Sequence, residues 1–399
     1  MHLPWCVQKC PYCDFNSHVR RGKLPESHYI DALLDDLDLD LAEHADPRPL
    51  ESIFLGGGTP SLIAPAAISR LLDGIGSRLH RRPAMEVTLE ANPGTVERGR
   101  FAEYRAAGIT RLSIGAQSFC DRSLQALGRI HRAAETFAAM AEARAASFAD
   151  VNLDVMYGLP VQTVEEALAD IRTALGLEPS HLSHYELTIE PNTRFYSRPP
   201  ALPDEDARTA MHEASARLIA DAGFEHYEVS AYAQPGRRCR HNDNYWAFGD
   251  YLGIGAGAHA KLTDARADRI LRTAKLRHPL MYLRHANGHQ RIASRREVRS
   301  DERTFEFMLN ALRLPTGFSR ELFEERVGLN LDVVAPRLEQ ARERELLVRR
   351  GDGGWRPTRQ GFRFLNDLQA LFLPEAPRER RSHRRSGGED SREIGSYHE

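Results

Sequence analysis

Along the first half of the chain, short apolar runs alternate with longer stretches whose apolar residues recur every three or four positions. Positions 25–43 place Tyr29, Leu33, Leu34, Leu37 and Leu41 at helical spacing. The runs SIFLGGG (52–58), MEVTLEA (85–91), ITRLSIGA (109–116), VNLDVMYG (151–158) and HLSHYELTI (181–189) read as strands, separated by alanine-rich helical stretches. Strand and helix in alternation predict an α/β fold, a parallel sheet with crossover helices, whose chemistry gathers at the carboxyl ends of the strands.

From about Leu276 the texture turns helix-rich, in SDERTFEFMLNALRL, SRELFEERVG and LDVVAPRLEQARERELL. LLVRRGDGGWRPT (346–358) then predicts two short strands around a Gly-rich turn, and a last helix runs through Phe362, Phe364, Leu365, Leu368 and Leu371. Three helices and a β-ribbon make a small winged-helix-like C-terminal domain. The stretch from Pro374 to Glu399 is rich in Arg, Ser, Glu and Gly without apolar period, which predicts a disordered tail. The expected division is 1–260, 261–373 and 374–399.

Composition narrows the function classes. At 399 residues the chain exceeds the usual single domain, and a formal charge of −2 supplies no bulk attraction to nucleic acid. Winged-helix modules often bind DNA, but Glu321, Glu324 and Glu325 crowd the second helix of this one. No apolar run approaches the roughly eighteen residues of a membrane span, and no signal peptide is visible. Five cysteines, three of them clustered, do not form a disulfide framework. A cytoplasmic, reducing location is expected.

Those clustered cysteines, Cys6, Cys10 and Cys13, stand at C-x3-C-x2-C spacing with no fourth cysteine nearby. A closed iron–sulfur cluster usually takes four cysteines, and structural zinc also prefers four ligands. Three thiolates on a [4Fe-4S] cube leave one iron open to chelate a small molecule, an arrangement for chemistry rather than structure. A zinc site is the other reading of the triplet.

This spacing, followed by Gly56-Gly57-Gly58-Thr59-Pro60, resembles the radical S-adenosylmethionine (SAM) superfamily, which implies an open (β/α)6 partial TIM barrel with an open-iron cluster that binds SAM. The resemblance implies that Gly57, Gly58 and Thr59 hold the methionine end of SAM. Glu90, Gln117, Arg129 and Asp154 follow in the order of the SAM-binding residues of oxygen-independent coproporphyrinogen III oxidases and their relatives. Their implied roles are ribose contacts by carboxylate or amide and carboxylate pairing by arginine. The family pattern also places a SAM-contacting tyrosine just before the strand position of Met1, so part of the first strand is expected to be missing.

The resemblance spans residues 1 to about 372, and it narrows to haem chaperones of the HemW type at CRHNDNYW (239–246). Phe15 stands where the oxidases carry a further cysteine. His241, beside Tyr245 and Trp246, is the candidate haem ligand, with Cys239 as its rival. The implied function is binding haem and delivering it to an acceptor protein, respiratory or other, with cluster and SAM in support; a homodimer is compatible with it. Porphyrinogen decarboxylation and a regulatory winged-helix protein with a sensor cluster are the alternatives.

Overall fold

Aliphatic side chains buried on both faces mark the strands of the first half: in Arg111–Gln117 every residue but Ser113 is buried, as a sheet covered by helices requires. The computed structural model describes residues 1–44, 48–94, 99–264 and 267–374. The expected tail, apart from Pro374, lies outside the described residues. Six strands, β1 (His2–Leu3), β2 (Leu50–Gly57), β3 (Arg81–Ala91), β4 (Arg111–Gln117), β5 (Asp150–Tyr157) and β6 (His181–Glu186), pair in parallel in chain order. Helices α1 (Glu26–Glu43), α2 (Pro65–Gly76), α3 (Phe101–Ala106), α4 (Ala133–Ala145), α5 (Val164–Gly176) and α6 (Glu205–Asp221) follow them. Two short antiparallel strands, β7 (Glu225–Glu228) and β8 (Ala231–Ala233), extend the sheet beyond β6 in the order β6-β8-β7. The end strands β1 and β7 do not pair with each other, so the barrel is open.

Local chemistry sets the helix starts. Thr163 accepts from the Glu166 amide while Glu166 reaches back to Thr163, a capping box that opens α5. α1 buries Tyr29, Ile30, Leu33 and Leu37 on one face, and on the same face Asp36 and Asp40. Those two carboxylates meet Lys275 and Arg291, all four side chains being nearly inaccessible. The N-terminal segment is clamped by the loop after helix α7 (Arg240–Trp246). Gly255, at φ +107°, passes so close to His2 that a Cβ would stand 2.4 Å from its carbonyl oxygen.

The helix-rich texture expected from about Leu276 is found, but a sheet that the sequence pattern did not mark precedes and enters it. Strands His259–Asp264, Arg269–Lys275 and Ile292–Val298 form a three-stranded antiparallel sheet. Their solvent faces are arginine-rich, and Ile292–Val298 buries only Val298, so the alternation that signals a strand is faint in the sequence. A division between residues 260 and 261 falls inside the first of these strands. The barrel core itself reaches Tyr282 and Ala286, while a second core runs from Phe248 to Phe372. Around that second core lie helices Ser300–Ala311, Arg320–Val327 and Ala335–Glu343 and the ribbon Leu347–Arg349 with Trp355–Pro357. The last helix is broken at Phe364 into Arg359–Arg363 and Leu365–Ala370.

Candidate metal centre and cofactor cavity

The cysteine loop is pinned at its two ends and, between them, at Pro11, whose carbonyl accepts from the Phe195 amide at 2.9 Å, and at Gln8, which donates to the Gly128 carbonyl at 3.1 Å. Trp5–Cys6 pairs in parallel with His18–Val19, and inside the loop the Cys13 amide donates to the Cys10 carbonyl at 3.2 Å. Cys6, Cys10 and Cys13 are free and half-buried, and each sulfur has a polar neighbour. The Thr59 hydroxyl donates to Cys6 Sγ at 3.5 Å, Arg129 Nη1 to Cys10 Sγ at 3.6 Å, and Ser17 Oγ lies 3.8 Å from Cys13 Sγ. Burial pushes the Cys6 and Cys13 thiols up, so they stay protonated until a cation replaces the proton. Among the described residues no three His, Cys, Asp or Glu side chains converge as a single metal ion requires. Three thiols at one loop, with no fourth cysteine in it, are the donor set of a cluster that keeps one iron open.

A cavity of about 410 Å³ opens beside the loop at the carboxyl ends of the strands. All ten residues expected for cluster and SAM stand in its wall: Cys6, Cys10, Cys13, Gly57, Gly58, Thr59, Glu90, Gln117, Arg129 and Asp154. Gly57 adopts φ +120°, and at Gly58 a Cβ would lie 2.5 Å from the Trp5 carbonyl oxygen, so side chains are excluded where the backbone meets the cysteine loop. Gln117 also has a positive φ, +66°, at an irregularity in the β4–β5 register, and its carbonyl Oε1 accepts from the Tyr185 hydroxyl at 2.9 Å. Strained backbone of this kind collects at ligand sites.

Of the charged side chains in the cavity wall, Arg129, Glu90 and Asp154 are the ones expected to meet SAM. Arg129 donates to Asn92 Oδ1, to the Gly115 carbonyl at 2.9 Å and to Cys10, leaving its buried Nε without a partner among the described residues. Glu90 accepts from the Gly57 amide at 3.1 Å; burial, and then the charge of Asp154, push its carboxyl up to about 7. Burial raises Asp154 as well, opposed by hydrogen bonds from Asn152, Ser183 and Ser113. Two buried carboxyls, and a buried guanidinium nitrogen without a partner among the described residues, suit a ligand that brings both hydroxyl donors and a carboxylate.

His241 is placed elsewhere. Its ring stacks on Phe54 with centroids 4.4 Å apart, in the wall of a second cavity of about 650 Å³ that also includes Tyr245, Tyr251 and His259. The two cavities share Gly57. Burial holds the His241 imidazole down at about 4, so it is neutral with a lone pair for a metal. Its rival is disfavoured: Cys239 is buried, donates its thiol to Glu86 Oε1 at 3.5 Å, and is pushed up to about 12 by burial and the Glu86 charge. Phe15 stands 61% exposed at the rim of the first cavity.

Two wall residues were not singled out from sequence. Asn92 links Arg129 to Thr59, donating to the Thr59 hydroxyl at 3.0 Å, and Tyr185 holds Gln117. Asn92 follows a strand-ending carboxylate in EANP, a position at which a polar side chain is aimed into the cavity; Tyr185 lies within a strand and gave no such sign.

An open parallel barrel with three thiols over a ligand cavity at its carboxyl edge defines a radical SAM protein. Residues 1–174 match the radical SAM superfamily, and residues 298–364 match the HemN C-terminal domain. Heme chaperone HemW of Escherichia coli (strain K12) is 49% identical over 375 residues, 94% of this chain and 97% of that protein. The Haemophilus influenzae protein of the same name is 48% identical over 378 residues (94% and 97%), and that of Bacillus subtilis 31% over 380 (94% and 98%). The chain belongs to the HemW family. Its fold is also that of coproporphyrinogen III oxidase (HemN) from Escherichia coli, with a TM-score of 0.78 at 21% identity over 93% of this chain and 88% of the other.

Proposed function

We propose that the protein binds haem and hands it to an acceptor protein, with a [4Fe-4S] cluster and SAM in the first cavity and His241 as the iron ligand in the second. The observation that carries this reading is the His241 ring: neutral, without a hydrogen bond among the described residues, and stacked on Phe54 in a cavity of about 650 Å³. That volume lies within the usual span of about 300–1,000 Å³ for small-molecule sites. The resident pair supplies electron transfer from cluster to SAM when both are bound. For their part Cys6, Cys10 and Cys13 hold the cluster, Gly57, Gly58 and Thr59 the methionine end, Glu90, Gln117 and Asp154 the ribose, and Arg129 the carboxylate.

Relatives named heme chaperones support the cargo, and no helix among the described residues is long and apolar enough to cross a membrane. The acceptor is expected in the cytoplasm or on its face of a membrane. The test is a haem titration by absorbance on anaerobically reconstituted protein. His241→Ala should weaken or change the ligated spectrum and Cys239→Ala should not. Protoporphyrinogen formed from coproporphyrinogen III at catalytic turnover would replace this reading with the oxidase.

A further inference from the structure

Behind the cofactor cavity runs a second line of polar side chains. The β5–β6 register sets Asn152 beside His181, and Asp154 lies two residues on, on the same face of β5. Asn152, His181 and Tyr227 of β7 are 4%, 1% and 1% exposed, and none of them lines the cavity.

Their hydrogen bonds leave a single assignment of protons. Asn152 Nδ2 donates to Asp154 Oδ1 and to Ser113 Oγ, both at 2.8 Å. Its Oδ1 accepts from Ser183 at 3.1 Å and lies 2.7 Å from His181 Nδ1. With all four amide positions in use, His181 must carry its proton on Nδ1 and accept at Nε2, from the Tyr227 hydroxyl 2.8 Å away. The Tyr227 oxygen in turn accepts from Asn242 Nδ2 at 3.2 Å and from the Cys239 amide at 3.4 Å. Both belong to the start of α7, the helix that carries His241. Every donor along this line points towards Asp154.

We propose that Asn152, His181 and Tyr227 are positioning residues that hold Asp154 in its ligand-binding orientation and couple the SAM cavity to the α7 segment at His241. This rests on the assignment of SAM and haem made above. A buried line of hydrogen bonds polarises along its length, so a hydroxyl arriving at Asp154 competes with the Asn152 amide and alters each bond behind it. Cargo binding at α7 then changes SAM affinity, and SAM changes cargo affinity by the same factor.

Tyr227→Phe cuts one link and keeps the ring. In cluster-loaded wild type, saturating SAM should slow amide exchange across residues 239–246, read by mass spectrometry. In Tyr227→Phe that protection should vanish and the SAM dissociation constant rise about fivefold, in protein that is less stable, since buried partners of the hydroxyl are left unpaired, but still folded and cluster-loaded at the assay temperature. Unchanged affinity and protection in this variant overturn the relay. A second arm needs no ligand: Asp154→Ala should speed exchange over 239–246 about threefold or more, and no change there also overturns it. If wild type binds no SAM, the cavity assignment fails while the second arm still decides the relay.

Discussion

Thr59 donates its hydroxyl proton to the sulfur of Cys6 at 3.5 Å while accepting from the Asn92 amide at 3.0 Å. Because Asn92 also receives Arg129, and Arg129 donates to Cys10, one hydrogen-bonded arc touches two of the three thiols. Donors aimed at cluster sulfurs stabilise the reduced, more negative state and raise its potential. Thr59→Val should therefore shift the cluster potential to more negative values in an anaerobic redox titration. It also strips a partner from Asn92, at a cost of about 1–3 kcal/mol in denaturant unfolding. An unchanged potential in folded, cluster-loaded variant would remove Thr59 from cluster tuning.

Replacing Cys13 by alanine tests the ligand set. The three cysteines lie outside the apolar cores and are half-buried, so the barrel does not depend on them for packing. Cys13→Ala should lose the broad visible absorbance of the cluster, with far-ultraviolet circular dichroism and melting temperature close to those of the apo wild type. Full iron and sulfide content in that variant would refute the assignment.

Much of this site was legible before the structure because its residues sit where strands end. Gly57–Thr59, Glu90 and Gln117 each close or follow a run of apolar residues that the pattern marks as a strand, and a parallel sheet brings such ends together, whereas Asp154 lies within β5 and was legible only through the family resemblance. Tyr185 and the Asn152–His181–Tyr227 line escaped notice because they lie within strands, where a polar residue reads as one more step of alternation. The sheet of residues 259–298 escaped for the opposite reason: its arginine-rich solvent face conceals a strand, and its buried face is completed by residues distant in sequence. His241 was legible as a candidate, but its separation from the cluster cavity was not, since that depends on Phe54 of another strand.

Glu90 gives the site a pH dependence. Its carboxyl is raised from 4.5 to about 7 in the folded protein, so the folded state binds the proton more tightly than the unfolded chain does. The associated stability is fully present below pH 4.5 and is lost as pH rises through about 7. Glu90→Gln should accordingly melt a few degrees higher than apo wild type at pH 8, with the difference shrinking towards pH 5. SAM, which meets the ionised form, should bind wild type more tightly at pH 8 than at pH 6, and Glu90→Gln should bind it weakly at both. Parallel melting curves for the two proteins across this range would show that Glu90 ionises normally.

Buried charges join α1 to the segment that follows the barrel. Lys275 Nζ lies 2.6 Å from Asp36 Oδ1 and 2.7 Å from Asp40 Oδ1, and Arg291 reaches the same two oxygens at 2.6 and 2.7 Å. Tyr282 adds its hydroxyl to Asp36 Oδ2 at 2.7 Å, and the Gly255 amide donates to that oxygen at 3.1 Å. Asp36 thus ties α1, which follows the cysteine loop, to the clamp over His2 and to the sheet beyond the barrel. Two carboxylates against two cations balance, and removing one carboxylate leaves a buried positive charge without compensation. Asp36→Ala should destabilise by about 3–5 kcal/mol, whereas Asp31→Ala, which removes an exposed carboxylate of the same helix paired with Arg70, should cost about 1 kcal/mol or less. Since the lost contacts include the one to Gly255, cluster retention should fall along with stability in Asp36→Ala. A variant that unfolds at the wild-type denaturant midpoint would mean that water reaches Lys275 and Arg291, contrary to their burial.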